Sequence, residues 1–407
     1  MNRLILSKII SIKDISKDMI YNLLATAIST GVMQLVLFPQ FALRLDDHEY
    51  GELLTIMGII NVITLSLGNN LFNVRIVVNE KYNESGLKGD FQILLFISFL
   101  IALIMIISAG MYFKWTTEMF MGTMLVTAFS VLYSYYLVAF RININFKKNL
   151  YANIIMALVF VIGAFTIIKI ILWPWIFVLS YILCIIYIAS TSDIILEPIA
   201  KTKLFWSTTK VTLLFFISGI IGTVTMYLDR FIIFPILGGS SVSYFTTACF
   251  FSKSISLILL PITAVLLSYI SSNKLLMTNK RFIVTNWILI ILSILFLFFS
   301  LTFGKFVTGL LYPTLIDASK PYLLLASIGV IIGISGSFNG IVVLAKAPSF
   351  WQVVISTEKL ICYLLFCLIF VKMYGLYGMC VGIIITNTIC FITNFIVGNY
   401  YLKKTRI

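Results

Sequence analysis

The sequence predicts an all-α polytopic membrane protein, with about twelve transmembrane helices in two six-helix bundles around a central cavity. Three observations carry this reading: a shortage of charge, long apolar runs, and basic residues that alternate along the connections. Of 407 residues, 61% are hydrophobic and only 11% charged, where soluble domains run to about 25% charged. No globular interior hides that much apolar surface, so the solvent of this chain is lipid.

Runs long enough to span fall at 20–42, 51–71, 91–112, 120–140, 151–168, 172–190, 209–235, 242–268, 283–303, 322–345, 350–371 and 375–400. A β-barrel would instead need strict alternation over strands of about ten residues. A run such as ILLFISFLIALIMII (93–107) is apolar on every face and reads as helix. The connections then alternate in charge. One side carries Arg3, Lys8, Lys13 and Lys17, then Arg75, Lys81 and Lys88, then Arg141, Lys147 and Lys148, with further groups at Lys201, Lys203 and Lys210, at Lys274, Lys280 and Arg281, at Lys346, and at Lys403, Lys404 and Arg406. The other side carries only Arg44, Lys114, Lys169, Lys305, Lys320 and Lys372. Basic connections stay inside, so both termini are expected in the cytoplasm.

The net charge of +14 is this topology signal. It is not a nucleic-acid footprint, which needs a basic domain in water. The six cysteines, Cys184, Cys249, Cys362, Cys367, Cys380 and Cys390, lie within spans and form no Cys-x-x-Cys pair, so they read as small core residues. No phosphate-cradling Gly-x-x-x-x-Gly-Lys motif is present, which excludes built-in ATP hydrolysis. The lone His48, in RLDDHEYGE, gives no metal site by itself.

Residues 1–19 mix Leu and Ile with Lys and Asp at near-helical spacing, and are expected as an interfacial segment rather than a cleaved leader. The N-terminal bundle is expected over 20–190, a cytoplasmic linker over 191–208, the C-terminal bundle over 209–401 and a cytoplasmic tail over 402–407. Phe38-Pro39 and Phe234-Pro235 stand at corresponding places in the two halves, which supports a duplication. The glycine-rich GVIIGISGSFNG (329–340) has two readings, a packing seam or a hinge.

Charges inside the membrane are costly and mark bundle interiors or wet cavities. Lys253 stands about a dozen residues into its span, or about 18 Å at 1.5 Å per residue. Glu358 and Lys359 are also mid-depth. Asp229 and Arg230, in MYLDRFIIFPILGG (226–239), are adjacent and therefore point about 100° apart, so each needs its own partner. Asn387 and Asn394 share one face of the last span.

The segments FALRLDDHEYGELLTI, YLDRFIIFPILGGSSVSYFTTACFFSK and LYPTLIDASKPYLLLASIGV, set among twelve spans with almost no soluble part, resemble the Wzx-type polysaccharide flippases of the multidrug/oligosaccharidyl-lipid/polysaccharide (MOP) exporter superfamily. The resemblance covers essentially the whole chain. It implies a V-shaped pair of bundles with a cationic central cavity in the bacterial inner membrane. It implies transfer of an undecaprenyl-pyrophosphate-linked oligosaccharide from the cytoplasmic to the periplasmic leaflet, for O-antigen or capsule assembly, with a polysaccharide polymerase and a chain-length regulator as partners. The Asp-Arg pair of the family falls on Asp229 and Arg230, and the basic residue ending the second span falls on Arg75. Lys253 and Lys359 join them as substrate-binding candidates on their depth alone. Glu358 is the candidate for coupling to a proton or sodium gradient; no resident cofactor or metal is expected.

Two other classes stand beside this one. A drug or cation exporter of the same superfamily needs an acidic cavity, and the mid-depth charges here are mainly basic. A polyprenol-dependent glycosyltransferase or O-antigen polymerase needs catalytic groups on substantial outer loops, and the outer connections here are short. The chain is therefore not expected to be an enzyme.

Overall fold

The computed structural model describes residues 12–166, 173–271, 277–348 and 350–404. The first eleven residues of the expected interfacial segment lie outside these, as do the tail residues 405–407 and the basic positions 169 and 274.

The described chain is helical throughout and contains no strand. From its start, α1 (Ile12–Val32) passes through a π turn at Met33–Leu37 into α2 (Phe38–Arg44). Proline has no N–H to give to the preceding turn and its ring crowds the carbonyl there, and the wider π turn just before Pro39 accommodates both. A second π turn, Leu65–Asn69, joins α3 (Asp47–Thr64) to α4 (Asn70–Ser85), which is closed by Gly86 in the left-handed region at φ 64°. Next come α5 (Asp90–Phe113), α6 (Thr117–Tyr136), the short α7 (Val138–Ile142), α8 (Phe146–Thr166) and α9 (Trp173–Thr191). Thr116 caps α6 by accepting from the N–H of Met119.

A single 3-10 turn, Ile194–Leu196, interrupts the expected linker before α10 (Phe205–Leu237) and α11 (Gly239–Ser271). Then follow α12 (Asn279–Phe299), a π turn at Ser300–Gly304, α13 (Lys305–Leu311), α14 (Ile316–Ser319), α15 (Leu323–Lys346), α16 (Phe350–Cys362), a π turn at Tyr363–Cys367, and α17 (Leu368–Lys404).

Among the described residues, ten helical stretches are long and apolar enough to cross a membrane, where the sequence suggested about twelve spans. One of the ten, Phe350–Lys404, holds both the eleventh and the twelfth of the expected spans. It turns at Gly375, whose φ 59° and ψ −136° lie outside the helical region. The eighth expected span, 242–268, falls on α11. The protein is thus a multi-pass membrane protein.

The chain divides into two compact units, 1–44 with 56–223, and 45–55 with 224–407. The division falls inside α3 and inside α10. In the first unit Phe91, Tyr135, Phe160, Trp173 and Phe177 are fully buried. Polar pairs tie its helices: Ser29 Oγ donates to Asn153 Oδ1 at 2.7 Å between α1 and α8, and the hydroxyls of Thr64 and Ser130 meet at 2.6 Å between α3 and α6. Such bonds replace hydrophobic attraction, which lipid cannot supply between helices.

In the second unit α15 lies along α17. The glycines of GVIIGISGSFNG form the seam: the space beside Gly329, Gly333, Gly336 and Gly340 is taken by Ile383, Asn387, Phe391 and Asn394 in turn. This stretch is a packing surface, and Asn387 adds a hydrogen bond across it to the carbonyl of Gly329 at 2.8 Å. A further knot of hydroxyls, Ser252, Ser300 and Ser327, joins α11, the π turn at 300–304 and α15 at 3.0–3.2 Å.

The turn at Gly375 is open around its α-carbon, so backbone conformation alone demands glycine there. Gly375→Ala is expected to cost about 1–3 kcal/mol from the strained backbone, read as a lower unfolding temperature of the purified protein in detergent. An unchanged temperature would mean that the turn relaxes.

Candidate functional site

Asp229 and Arg230, side by side on α10, take separate partners within the second unit. Asp229 is 3% exposed. Its Oδ2 accepts from Lys253 Nζ of α11 at 2.6 Å, and its Oδ1 accepts from the backbone N–H of Arg230 at 2.8 Å. The lysine reaches the aspartate because helix side chains lean toward the N-terminus of their helix. Lys253 therefore points back along α11, and its ammonium also lies 5.7 Å from the ring centre of Phe245, two turns earlier. Arg230 turns elsewhere. Its Nη1 donates to the carbonyl of Leu54 at 2.7 Å and its guanidinium lies 5.4 Å from the Tyr227 ring centre. It clasps the first turns of α3 to α10.

The same turns of α3 are held by α11. Ser243 Oγ donates to the carbonyl of Asp47 and Tyr244 Oη to Asp47 Oδ2, each at 2.6 Å. The acidic stretch around His48 thus serves as an anchoring point for α11.

Asp229 and Lys253 face a cavity of about 210 Å³ inside the second unit. Its wall includes Thr225 on α10, Phe245 and Cys249 on α11, Ala326 on α15, Lys359 on α16, Tyr363 at the following π turn, and Cys380 and Asn387 on α17. Among the described residues two ammonium groups and one carboxylate face the cavity, which leaves it one positive charge in excess. The pair is lopsided in exposure: the side chain of Lys253 is 41% open and that of Asp229 only 4%. The lysine head is reachable from the cavity while the carboxylate is enclosed. The arrangement can attract an anion, and its hydroxyl and amide groups can bond to a polar ligand.

Of the six residues singled out from the sequence, Asp229, Lys253 and Lys359 line this cavity, and Arg230 and Glu358 are not in its wall. Glu358, next to Lys359, turns toward α17, where its Oε1 accepts from Thr393 Oγ1 at 2.7 Å; its enclosed Oε2 has no hydrogen-bond partner among the described residues. Arg75 belongs to the first unit. Its Nη2 meets Glu197 Oε1 at 2.7 Å, with both side chains nearly enclosed, and its guanidinium lies 4.5 Å from the ring centre of Phe91. Beside it Asp90 collects bonds from Tyr82 Oη, the Thr202 N–H and Thr202 Oγ1. This end of the first unit is a buried polar clasp that fastens the 191–208 stretch to α4 and α5.

Sequence reasoning missed Tyr363 as a cavity residue. The signal was present, since Tyr363 stands four residues after Lys359 and so on the same helix face.

No protein-family model matches this chain, and no curated protein matches it. Solved structures do. The inward-closed conformation of the lipid II flippase MurJ superposes with a TM-score of 0.68 at 16% identity, covering 96% of this chain and 87% of that one. The inward-facing conformation of a multidrug resistance MATE family transporter of the MOP superfamily gives 0.62 at 16% identity, with 96% of each chain covered. A MOP superfamily transporter from Pyrococcus furiosus, described as having a binding pocket of reverse polarity that suggests a different function, gives 0.59 at 13%, covering 96% and 97%. This chain has the fold of MOP superfamily transporters. Its structural neighbours are transporters and a flippase, not enzymes.

Proposed function

We propose that this protein is a flippase for an anionic, lipid-linked oligosaccharide, moving an undecaprenyl-pyrophosphate-linked repeat unit from the cytoplasmic to the periplasmic leaflet of a bacterial inner membrane by alternating access. One observation carries the reading: a cavity within an apolar helical unit that holds Lys253 and Lys359 against the single carboxylate of Asp229. A sugar hydroxyl moved into hydrocarbon unpartnered costs roughly 2–7 kcal/mol, and a diphosphate costs far more. A wet basic pocket replaces water around such a head group while the lipid tail stays in the bilayer. A lipid-linked cargo is also what the name of the flippase neighbour states for that protein.

The rival, a cation exporter like the multidrug neighbour, is less well supported, because the cavity carboxylate is already occupied by the chain's own Lys253. The precedent of a pocket of reverse polarity on the same fold fits an anion-handling member. For coupling to a proton or sodium gradient the candidate is Glu358, whose enclosed Oε2 has no hydrogen-bond partner among the described residues. A polysaccharide polymerase and a chain-length regulator are the partners such a flippase would supply. The excess of Lys and Arg on alternate connections supports an orientation with both termini in the cytoplasm.

The test uses vesicles carrying the purified full chain and a fluorescent polyprenyl-diphosphate oligosaccharide, with a quencher outside to read leaflet exchange. Exchange that depends on the protein is expected, with no effect on a cationic dye gradient. Dye export without lipid exchange would reverse the assignment. Lys359→Ala removes a charge that makes no ion pair among the described residues. It is expected to slow exchange about tenfold, the loss of about 1.4 kcal/mol of charge-assisted bonding, with the unfolding temperature unchanged. Exchange at the wild-type rate would remove Lys359 from the site.

A further inference from the structure

The residues of α16 divide among three faces. Trp351 and Glu358 turn to α17, where Trp351 Nε1 donates to Tyr401 Oη at 3.2 Å and Glu358 accepts from Thr393. Phe350, Val353 and Ile361 form an outer apolar face and are 57%, 67% and 58% exposed. The third face carries Gln352, Ser356, Lys359 and Tyr363. At about 100° per residue these four fall within a sector of about 60°, and at 1.5 Å per residue they run for about 16 Å.

The lower end of this stripe is the cavity, since Lys359 and Tyr363 line it. Its upper half is open: Ser356 is exposed and Gln352 half-buried, and neither side chain bonds to another described residue. A polar row of this length cannot stand against hydrocarbon, because each unpartnered amide or hydroxyl costs its full desolvation. The outer face beside it is apolar but for the exposed Thr357, whereas the amide, hydroxyl, ammonium and phenol of this sector form one continuous row that ends in the cavity. That sector is wet.

From this juxtaposition we infer that the α16 stripe is a sugar-reading track, running from the N-terminal end of the helix to the cavity. The anionic diphosphate sits at Lys359 and Lys253, and the amide of Gln352 and hydroxyl of Ser356 bond to hydroxyls of the sugar nearest the diphosphate. Charge fixes the polarity of the ligand: its anionic end lies in the cavity and its hydroxyl-rich end lies up the stripe. The inference rests on the flippase reading above and names the part of the substrate that sets specificity.

Single cysteines test the track in the full chain. Cys362→Ala combined with Cys249→Ala and Cys380→Ala provides the background, since Cys362 is partly exposed and the other two line the cavity, while the remaining three cysteines are buried away from it. Gln352→Cys and Ser356→Cys are compared with Val353→Cys and Ile361→Cys for reaction with a charged thiosulfonate in vesicles. The stripe positions are expected to react at least about tenfold faster, as water-exposed thiols ionise and lipid-facing ones do not, and inorganic pyrophosphate is expected to slow Ser356→Cys. Equal rates on the two faces would show a dry stripe, and labelling indifferent to pyrophosphate would show water without a ligand path; either overturns the inference. A second measurement needs no added thiol. Gln352→Ala with Ser356→Ala is expected to lower the exchange ratio of glycan-bearing to bare polyprenyl-diphosphate lipid about tenfold, the worth of two hydrogen bonds. An unaltered ratio overturns the track. Failure of the unmodified chain to exchange either lipid sinks the flippase reading instead.

Discussion

Lys253→Ala is expected to lower both the stability of the protein and its transport, and the two losses come from different atoms. The ion pair itself is worth little, because the lysine side is 41% open and screened. Removing the ammonium, however, strands the Asp229 carboxylate, which is 4% exposed and keeps, among the described residues, only the backbone N–H of Arg230 as a hydrogen-bond partner. An unpaired enclosed charge of this kind costs about 3–5 kcal/mol. The first effect is therefore lower abundance in membranes and a lower unfolding temperature in detergent. Adding Asp229→Asn removes the stranded charge, so the double variant is expected to recover most of the lost stability. It is not expected to recover lipid exchange, since the cavity then lacks one of its two cations. Recovery of both properties would mean that the pair is only structural. Recovery of neither would mean that Asp229 does more in the fold than balance Lys253.

This pair shows how far the sequence could be read. Composition, apolar runs and the alternation of basic connections were enough for the fold class, because a membrane permits few structures and the constraint acts along the chain itself. That Asp229 and Arg230 need different partners followed from helix geometry. Their identities did not. Counted from the turn at Gly238, Asp229 is nine residues back and Lys253 fifteen residues on, so simple hairpin register would not match them. The match depends on a long lysine leaning back along its helix. The cavity needed five helices brought together, and only distant contacts define it. Local spacing did carry Tyr363 and the Gln352–Ser356–Lys359 stripe, which hydropathy alone passes over because α16 is apolar enough to count as part of a span.

Arg75 tests the same distinction in the first unit. The resemblance to polysaccharide flippases assigns it to substrate, while the structure gives it an ion pair with Glu197 and an aromatic neighbour in Phe91. Both charged side chains are nearly enclosed, at 7% and 11% exposure. No feature of the sequence pointed to Glu197, which stands in an irregular stretch 122 residues away. Arg75→Ala strands that glutamate and removes the stacking, so a loss of about 3–5 kcal/mol is expected, read as reduced abundance and a lower unfolding temperature. Glu197→Gln on top of it is expected to restore abundance and, if the residue only fastens the 191–208 stretch to α4 and α5, lipid exchange per molecule with it. A substrate role for Arg75 predicts the opposite pattern: near-normal abundance of the single variant, exchange lost, and no rescue by Glu197→Gln. The two roles separate because a clasp can be replaced by neutralising its partner, whereas a cation that meets a diphosphate cannot.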